Sequence, residues 1–220
     1  MCTFNELFGV ANANLRVLLA SGDLRHIVYT INSLPSNFSG NLHILINDGT
    51  LPIVCRNILL LLILGTISDD VMAAEVALHF WYSAFIPAEY ISQISSVLFS
   101  FLRHDSHIFP LGPYSTLSCL LPPSANKFFL HFISSSIPVS DAQDEYDRVR
   151  NAPSRRDLRD RMYAGLRPSH RVAFREFRRF GIVLPFGAVN AHFNSPNNSL
   201  FSPEGEWLQT DYADPLEGWE

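Results

Sequence analysis

The chain has 220 residues, enough for one large domain or for one domain with an appendage. Hydrophobic residues make up 47% of it and charged residues 17%, which excludes intrinsic disorder and indicates a buried core. The longest apolar run, residues 58–64, is too short to cross a bilayer, and three scattered cysteines exclude a disulfide framework or a zinc finger. Because the first ten residues also lack a signal-peptide pattern, these features predict a cytoplasmic protein.

A strand–turn–helix pattern occurs twice in the first 65 residues. An apolar run at 16–20 is followed by Ser21-Gly22-Asp23 and then by apolar residues at helical spacing. A second run at 42–46 ends at Asn47-Asp48-Gly49 and leads into a Leu-rich helix. Two such units in succession are typical of a parallel sheet, so they predict an α/β fold with helices on both faces.

The rest of the chain is predicted to be mainly helical. Helices are expected at 71–86, 87–102, 127–137, 141–150, 154–164 and 169–180, and a Pro- and Ser-rich loop at 111–124. Residues 182–220 contain Pro, Gly and Asn throughout, which predicts an irregular lid or a small β element. The predicted organisation is therefore an α/β domain at 1–140, an Arg-rich helical segment at 141–181 and a tail at 182–220 that packs on the domain.

Charge is distributed unevenly along the chain. The formal net charge is -5, yet residues 148–179 carry +8 from eleven arginines and three acids, which leaves -13 on the rest. The arginines could dock on an acidic partner or on RNA, but pairing with the acidic remainder of the chain is favoured. Aromatic residues in and beside this segment are spaced as core residues rather than as a base-stacking platform: Tyr146, Tyr163, Phe174, Phe177 and Phe180.

The ends of the two predicted strands form a candidate nucleoside cleft. Ser21, Gly22 and Asp23 follow the first strand, where a glycine and a helix N-terminus allow a ligand to approach the backbone. Asp48 follows the second strand, where a carboxylate can accept hydrogen bonds from ribose hydroxyls. The alternative is that Gly22 only makes a turn and that the two aspartates only cap helices, since Gly22 is the single glycine of a G-x-G-x-x-G pattern.

Other candidate residues carry weaker signals. Arg25 and Arg56 lie early in their helices, against the macrodipole, so each needs either an internal salt bridge or an anionic ligand. His104 and His107 have a spacing that suits a metal, but without a third ligand a helix-end or surface role is favoured. No nucleophile elbow is present, and we predict no catalytic residue.

Two sequence blocks carry a family resemblance. Residues 18–31 (LLASGDLRHIVYTI), and 44–48 (ILIND) with 55–60 (CRNILL), resemble a domain of unknown function (4470) common in fungal proteins. The same family forms the N-terminal domain of dynein axonemal assembly factor 3. Residues 181–187, 198–201 and 213–219 resemble its later blocks. The resemblance implies a Rossmann-like, methyltransferase-like fold, with Gly22 and Asp23 on the first turn and Asp48 at the second strand.

These observations leave three functional hypotheses. The first is a methyltransferase-like domain that acts as a non-catalytic protein-interaction or assembly module with a protein partner. The second is an S-adenosylmethionine-dependent methyltransferase, in which Gly22 and Asp48 hold the cofactor. The third is an RNA-binding module that uses the arginines. The single glycine and the absence of a catalytic loop favour the first, so we expect neither a resident cofactor nor a nucleic-acid or membrane partner.

Overall fold

A computed structural model describes residues 15–20, 24–104, 106–134, 137–150, 156–185 and 187–201. Over these residues the chain forms eight α-helices and three two-stranded sheets. It divides into two compact units, residues 1–57 and 58–220. No helix in the described ranges is both long enough and apolar enough to cross a membrane.

Residues 15–66 contain the two predicted strand–turn–helix patterns. Strand β1 (Leu15–Ala20) precedes helix α1 (Arg25–Asn32), and strand β2 (Leu42–Asn47) precedes helix α2 (Leu51–Thr66). The two strands are parallel and in register from Leu15–Leu42 to Ala20–Asn47. The prediction of these four elements, and of the parallel pairing, is therefore confirmed.

The predicted Rossmann-like parallel sheet with helices on both faces is wrong. Among the described residues β1–β2 is the only parallel pair, and the other two sheets are short antiparallel pairs. A doubly wound sheet needs further strand–helix units, but beyond residue 58 most apolar residues recur at helical spacing. The described part of the chain therefore buries its apolar surface mainly by packing helices, and within it the two parallel strands are not extended into a larger sheet.

The second unit is dominated by helices. Helix α2 is buried from Ile58 to Leu60 and again at Leu62 and Ile63, while Leu64 is 39% exposed. Asp69 caps the next helix, since its Oδ1 accepts hydrogen bonds from the N–H groups of Val71 and Met72. The remaining helices are α3 (Asp70–Tyr82), α4 (Ala88–Leu102), α5 (Ala125–Ser134), α6 (Val139–Arg150), α7 (Arg156–Gly165) and α8 (Pro168–Phe180).

The segment predicted as a loop at 111–124 is partly a β-hairpin. Strand β4 (Ile108–Leu111) pairs antiparallel with strand β5 (Ser115–Ser118). Gly112, with a φ of 71°, supports the reversal between them. Prolines and serines indicated irregular backbone, but Pro110 lies in a two-stranded hairpin whose strands are both edges, where a missing N–H is tolerated.

The C-terminal described segment closes the core of the second unit. Strand β6 (Ser195–Pro196) pairs with strand β3 (Phe85–Ile86), and a short 3-10 helix (Asn198–Leu200) follows. The side chain of the buried Asn197 donates hydrogen bonds to three carbonyl oxygens at the end of α3, those of His79, Phe80 and Ser83. The two shorter bonds, to the Phe80 and Ser83 carbonyls at 2.8 Å, satisfy acceptors at the C-terminal end of α3, so this segment holds that end in place. The predicted small β element is thus present at 195–196.

Candidate functional site

The predicted nucleoside cleft lies only partly within the described residues. Ser21, Gly22 and Asp23 are outside them. Asp48 is half-buried, and its Oδ1 accepts a hydrogen bond from the Thr50 N–H at 2.7 Å, just before α2. That contact is an ordinary turn before a helix, and it needs no ligand. The cleft formed by Ser21, Gly22, Asp23 and Asp48 therefore stays a prediction.

The two arginines predicted beside the cleft belong to different environments. Arg25 is the first residue of α1 and is half-buried, whereas Arg56 lies within α2 and is only 5% exposed. A guanidinium buried to that degree needs hydrogen-bonding partners within the protein or from a ligand. For both residues, the internal salt bridge and the anionic ligand stay alternative predictions.

His104 and His107 have surface positions. Both are exposed, and the His104 ring packs edge-on against Phe109 at 5.2 Å, while its Nδ1 accepts a weak hydrogen bond from the Ser106 N–H. In the part of the chain that the structure describes, no three His, Cys, Asp or Glu residues are grouped to hold a metal. This is the placement expected of a helix-end histidine.

A buried histidine–serine pair near the end of α3 resembles catalytic chemistry but lacks access. His79 Nδ1 lies 3.0 Å from Ser83 Oγ, and this hydroxyl also accepts a hydrogen bond from the Val183 N–H. Ser83 is 0% exposed and His79 is 3% exposed. Burial lowers the pKa of His79, an effect that the nearby Glu75 only partly opposes. A nucleophile must be accessible to its substrate, and this pair is buried. We therefore interpret it as a structural contact between the end of α3 and Val183.

The strongest surface feature is a row of arginines on α8, which we call the arginine face. It comprises Arg167 at the N-cap and four arginines within the helix: Arg171, Arg175, Arg178 and Arg179. The helical members are spaced i, i+4, i+7 and i+8, which places them within about a third of the helix circumference. The sequence showed an arginine-rich segment at 148–179, and the helix geometry places five of its arginines on one side of α8.

The opposite side of α8 is fixed in the core. Phe174 is 2% exposed and Phe177 is 5% exposed. The hydroxyl of the fully buried Tyr146 on α6 donates a hydrogen bond to the Phe177 carbonyl at 3.0 Å. These contacts determine the rotation of the helix about its axis, and therefore they direct the arginine face toward solvent.

Several of the guanidinium groups are positioned by their neighbours. Arg171 lies 5.5 Å from the Tyr163 ring centre and donates hydrogen bonds to the carbonyls of Ala164 and Leu166 at the end of α7. Arg178 lies over Phe174 at 5.8 Å, and Arg179 over Phe180 at 4.9 Å. Stacked guanidiniums lose less conformational freedom when they bind an anion, so this surface is partly preorganised.

Three members of the face are exposed and lack an acidic partner among the described residues. Arg167, Arg175 and Arg179 are exposed, and none of them forms a salt bridge there. The described salt bridge of the arginine-rich segment joins Arg148 to Glu145 on the same helix, with Nε and Oε2 2.6 Å apart. The favoured prediction, pairing of the arginines with the acidic remainder, is therefore not met at these three positions within the described part.

A small groove lies beside α8. Its wall includes Ala173 and Phe180 from the helix and Leu184, Pro185 and Ala188 from the following segment, and it encloses about 50 Å³. Ligand pockets for cofactors are several times larger, about 300–1,000 Å³. The groove therefore suits one side chain of a docked peptide rather than a nucleoside.

The aromatic residues of the arginine-rich segment are largely internal. Tyr146, Phe174 and Phe177 are buried as their spacing predicted, whereas Tyr163 is 41% exposed and has the Arg171 guanidinium over its ring.

The sequence also contained the signal for the arginine face, because the i, i+4, i+7 spacing of the arginines is visible in it. The hydrogen bonds of Asn197, by contrast, could not be predicted, since their acceptors lie more than a hundred residues away along the chain.

Comparison with known proteins relates the N-terminal part of the chain to one family. A family model described as a domain of unknown function (DUF4470) matches residues 3–86. The matched range covers both strand–turn–helix units, α3 and β3, and therefore supports the resemblance noted for the first two sequence blocks. Neither the curated proteins nor the solved structures contain a match to the chain. The arginine face lies outside the matched range.

Proposed function

We propose that this protein is a non-catalytic interaction module of the cytoplasm that binds an acidic segment of a partner protein through the arginine face. The single observation that carries the proposal is a row of five arginines on one side of α8, three of them exposed and without a salt bridge among the described residues. The free thiol of the half-buried Cys119 agrees with a reducing compartment. The resemblance to the dynein assembly factor family supports an assembly role.

The electrostatics of α8 favour an anionic partner. Arg178 and Arg179 lie in the last turn, where they complement the helix dipole. Arg167 and Arg171 lie at the N-terminal end, where they add to the positive potential instead of offsetting it. Glu176 is the one acidic residue of the helix; it lines the groove beside α8 and forms no salt bridge with the described arginines. An incoming carboxylate therefore meets positive potential along the whole length of α8.

An acidic protein segment fits this surface better than a nucleic acid does. Nucleic-acid surfaces combine basic residues with exposed aromatic rings on which bases stack. Here Phe174 and Phe177 are buried, and the ring of Tyr163, which is 41% exposed, has Arg171 over it. The remainder of the chain carries -13, which repels a long phosphate backbone but leaves a short acidic peptide free to dock on α8 alone.

The proposal is tested by the affinity for fluorescein-labelled decaglutamate, measured by anisotropy at low salt. The variant that removes the exposed charges of the face carries Arg167→Gln, Arg175→Gln and Arg179→Gln. A control with the same net charge removes three exposed basic residues elsewhere: Arg103→Gln, Lys127→Gln and Arg148→Gln. We expect the first variant to weaken binding about tenfold or more, which corresponds to about 1.4 kcal/mol, and the control about twofold or less.

Three results would overturn the proposal. Absence of decaglutamate binding by the wild type would contradict the proposal that the face binds an acidic segment. Equal losses in both variants would show that net charge, not the arginine face, determines binding. Tighter binding of a labelled single-stranded oligouridylate than of decaglutamate at the same salt concentration would assign the face to nucleic acid.

A further inference from the structure

The residues that follow the described part of the chain complement the arginine face in charge. Residues 202–220 contain six carboxylates and no lysine, arginine or histidine. The acidic residues are Glu204, Glu206, Asp211, Asp214, Glu217 and Glu220. The same segment carries three aromatic residues, Trp207, Tyr212 and Trp219, whose rings can stack on guanidinium groups. We call residues 202–220 the acidic tail.

The acidic tail begins directly after Phe201, which belongs to the cluster against which Phe180 at the end of α8 packs. The preceding residue, Phe201, is 0% exposed and belongs to a buried cluster with Tyr146 and Ile182. Its carbonyl oxygen lies 2.9 Å from His131 Nε2, which fixes its position. Tyr146 in the same cluster donates a hydrogen bond to the Phe177 carbonyl of α8, and Ile182 lies two residues beyond the last residue of that helix. Phe201 therefore packs in the same buried cluster as Tyr146, whose hydroxyl contacts the C-terminal end of α8.

The acidic tail is long enough to follow the whole face. At about 3.3 Å per residue its 19 residues span up to about 60 Å when extended, whereas the 13 residues of α8 rise about 20 Å at 1.5 Å each. An extended tail of that length is therefore long enough to pass every position of the face from Arg179 to Arg167.

We infer that the acidic tail docks on the arginine face of its own chain and competes there with the acidic partner. The competition rests on the proposed function, while the docking itself does not. A tethered segment acts at an effective concentration on the order of millimolar, so even weak tail contacts reduce the occupancy by an external acidic segment. The acidic tail contributes to the net charge of -13 outside the arginine-rich segment. Its docking on the arginine face would provide the intramolecular pairing that the sequence predicts.

The docking is tested in the full chain with three tail substitutions: Glu204→Gln, Glu206→Gln and Asp211→Asn. A control of equal net charge neutralises three exposed acids of the helical unit: Asp70→Asn, Glu89→Gln and Asp144→Asn. The first measurement follows the Nε–Hε signals of Arg167, Arg175 and Arg179 by NMR. We expect them to shift in the tail variant and to stay in place in the control, with the signal of Arg103 unmoved in both.

The second measurement is the decaglutamate affinity of the same variants. We expect the tail variant to bind about three- to tenfold more tightly than the wild type and the control to differ by about twofold or less. If the arginine signals do not move in the tail variant, or move equally in the control, the docking is overturned whatever decaglutamate does. If they move only in the tail variant but no variant binds decaglutamate, the docking stands and the proposed function fails. If all variants bind it equally and no signal moves, the proposed function stands and this inference fails.

Discussion

Gly181 shows how a single residue positions the arginine face. It ends α8 with a φ of 68°, and its N–H donates a hydrogen bond to the Phe177 carbonyl. A side chain at this position would place its Cβ 2.8 Å from the Ala84 Cβ and 3.0 Å from the Tyr146 ring. The left-handed backbone and the close approach both require glycine, because any Cβ would push α8 away from the cluster that orients it.

Replacement of this glycine is expected to destabilise the fold. Gly181→Ala should lower the free energy of unfolding by about 2–4 kcal/mol, from about 1 kcal/mol of backbone strain and a further 1–3 kcal/mol of overpacking. The measurement is urea denaturation followed by circular dichroism. The matched control is Gly165→Ala at the end of α7, where a Cβ meets nothing within 4 Å. It should be neutral or stabilising by up to about 1 kcal/mol. Equal effects of the two substitutions would contradict the packing argument.

At the level of elements, the end of α3 is held by polar contacts that respond to pH. His79 contacts Ser83 through Nδ1, and its ring packs against Phe193 at 4.7 Å and near Tyr90 at 5.8 Å. Burial raises the pKa of Tyr90, with a further contribution from its hydrogen bond to Glu75. For His79 itself, burial has the largest effect on the pKa, and the charge of Glu75 opposes it.

The stability of this end of α3 should fall in mild acid. Burial lowers the folded-state pKa of His79 below its ordinary value of 6.5, so the unfolded chain binds more protons as the pH drops through 6.5. The free energy of unfolding should then decrease by up to about 1.4 kcal/mol per pH unit below that value. Urea denaturation across mildly acidic to neutral pH measures the slope.

Two variants isolate the contribution of His79. His79→Gln should reduce the dependence on pH below 6.5, because the titrating group is gone. His107→Gln, which removes an exposed histidine, should keep the wild-type slope. The same slope in all three proteins would refute the assignment to His79.

At the scale of the whole molecule, the sequence predicted the local elements well and the architecture incorrectly. Two strand–turn–helix units were identified, and so were the helices between 141 and 180. The larger parallel sheet was an extrapolation from those two units, because strand pairing between distant segments leaves no local pattern. Likewise, the row of arginines on α8 is visible in their spacing, but its exposure depends on the contact of the helix with Tyr146, which comes from another element.

The absence of a larger parallel sheet from the described residues bears on cofactor binding. Rossmann-like folds hold nucleosides in a crevice at the strand ends where the strand order reverses, and two strands do not create such a crevice. Calorimetric titration with about 1 mM S-adenosylmethionine should therefore give no binding heat, in the wild type and in Asp48→Ala alike. Micromolar binding that Asp48→Ala abolishes would contradict this expectation and restore the nucleoside cleft.

The side chain of Asn197 also has a consequence for how the protein is made. Its hydrogen bond to the Phe80 carbonyl joins residues 117 positions apart. During synthesis, α3 leaves the ribosome long before the residue that secures its end, so the nascent chain passes through a stage in which Phe85, Tyr146 and their neighbours lack Leu200 and Phe201. A chain that ends shortly before residue 197 would expose this apolar cluster. We therefore expect the second unit to become resistant to aggregation only after residues 195–201 have been translated.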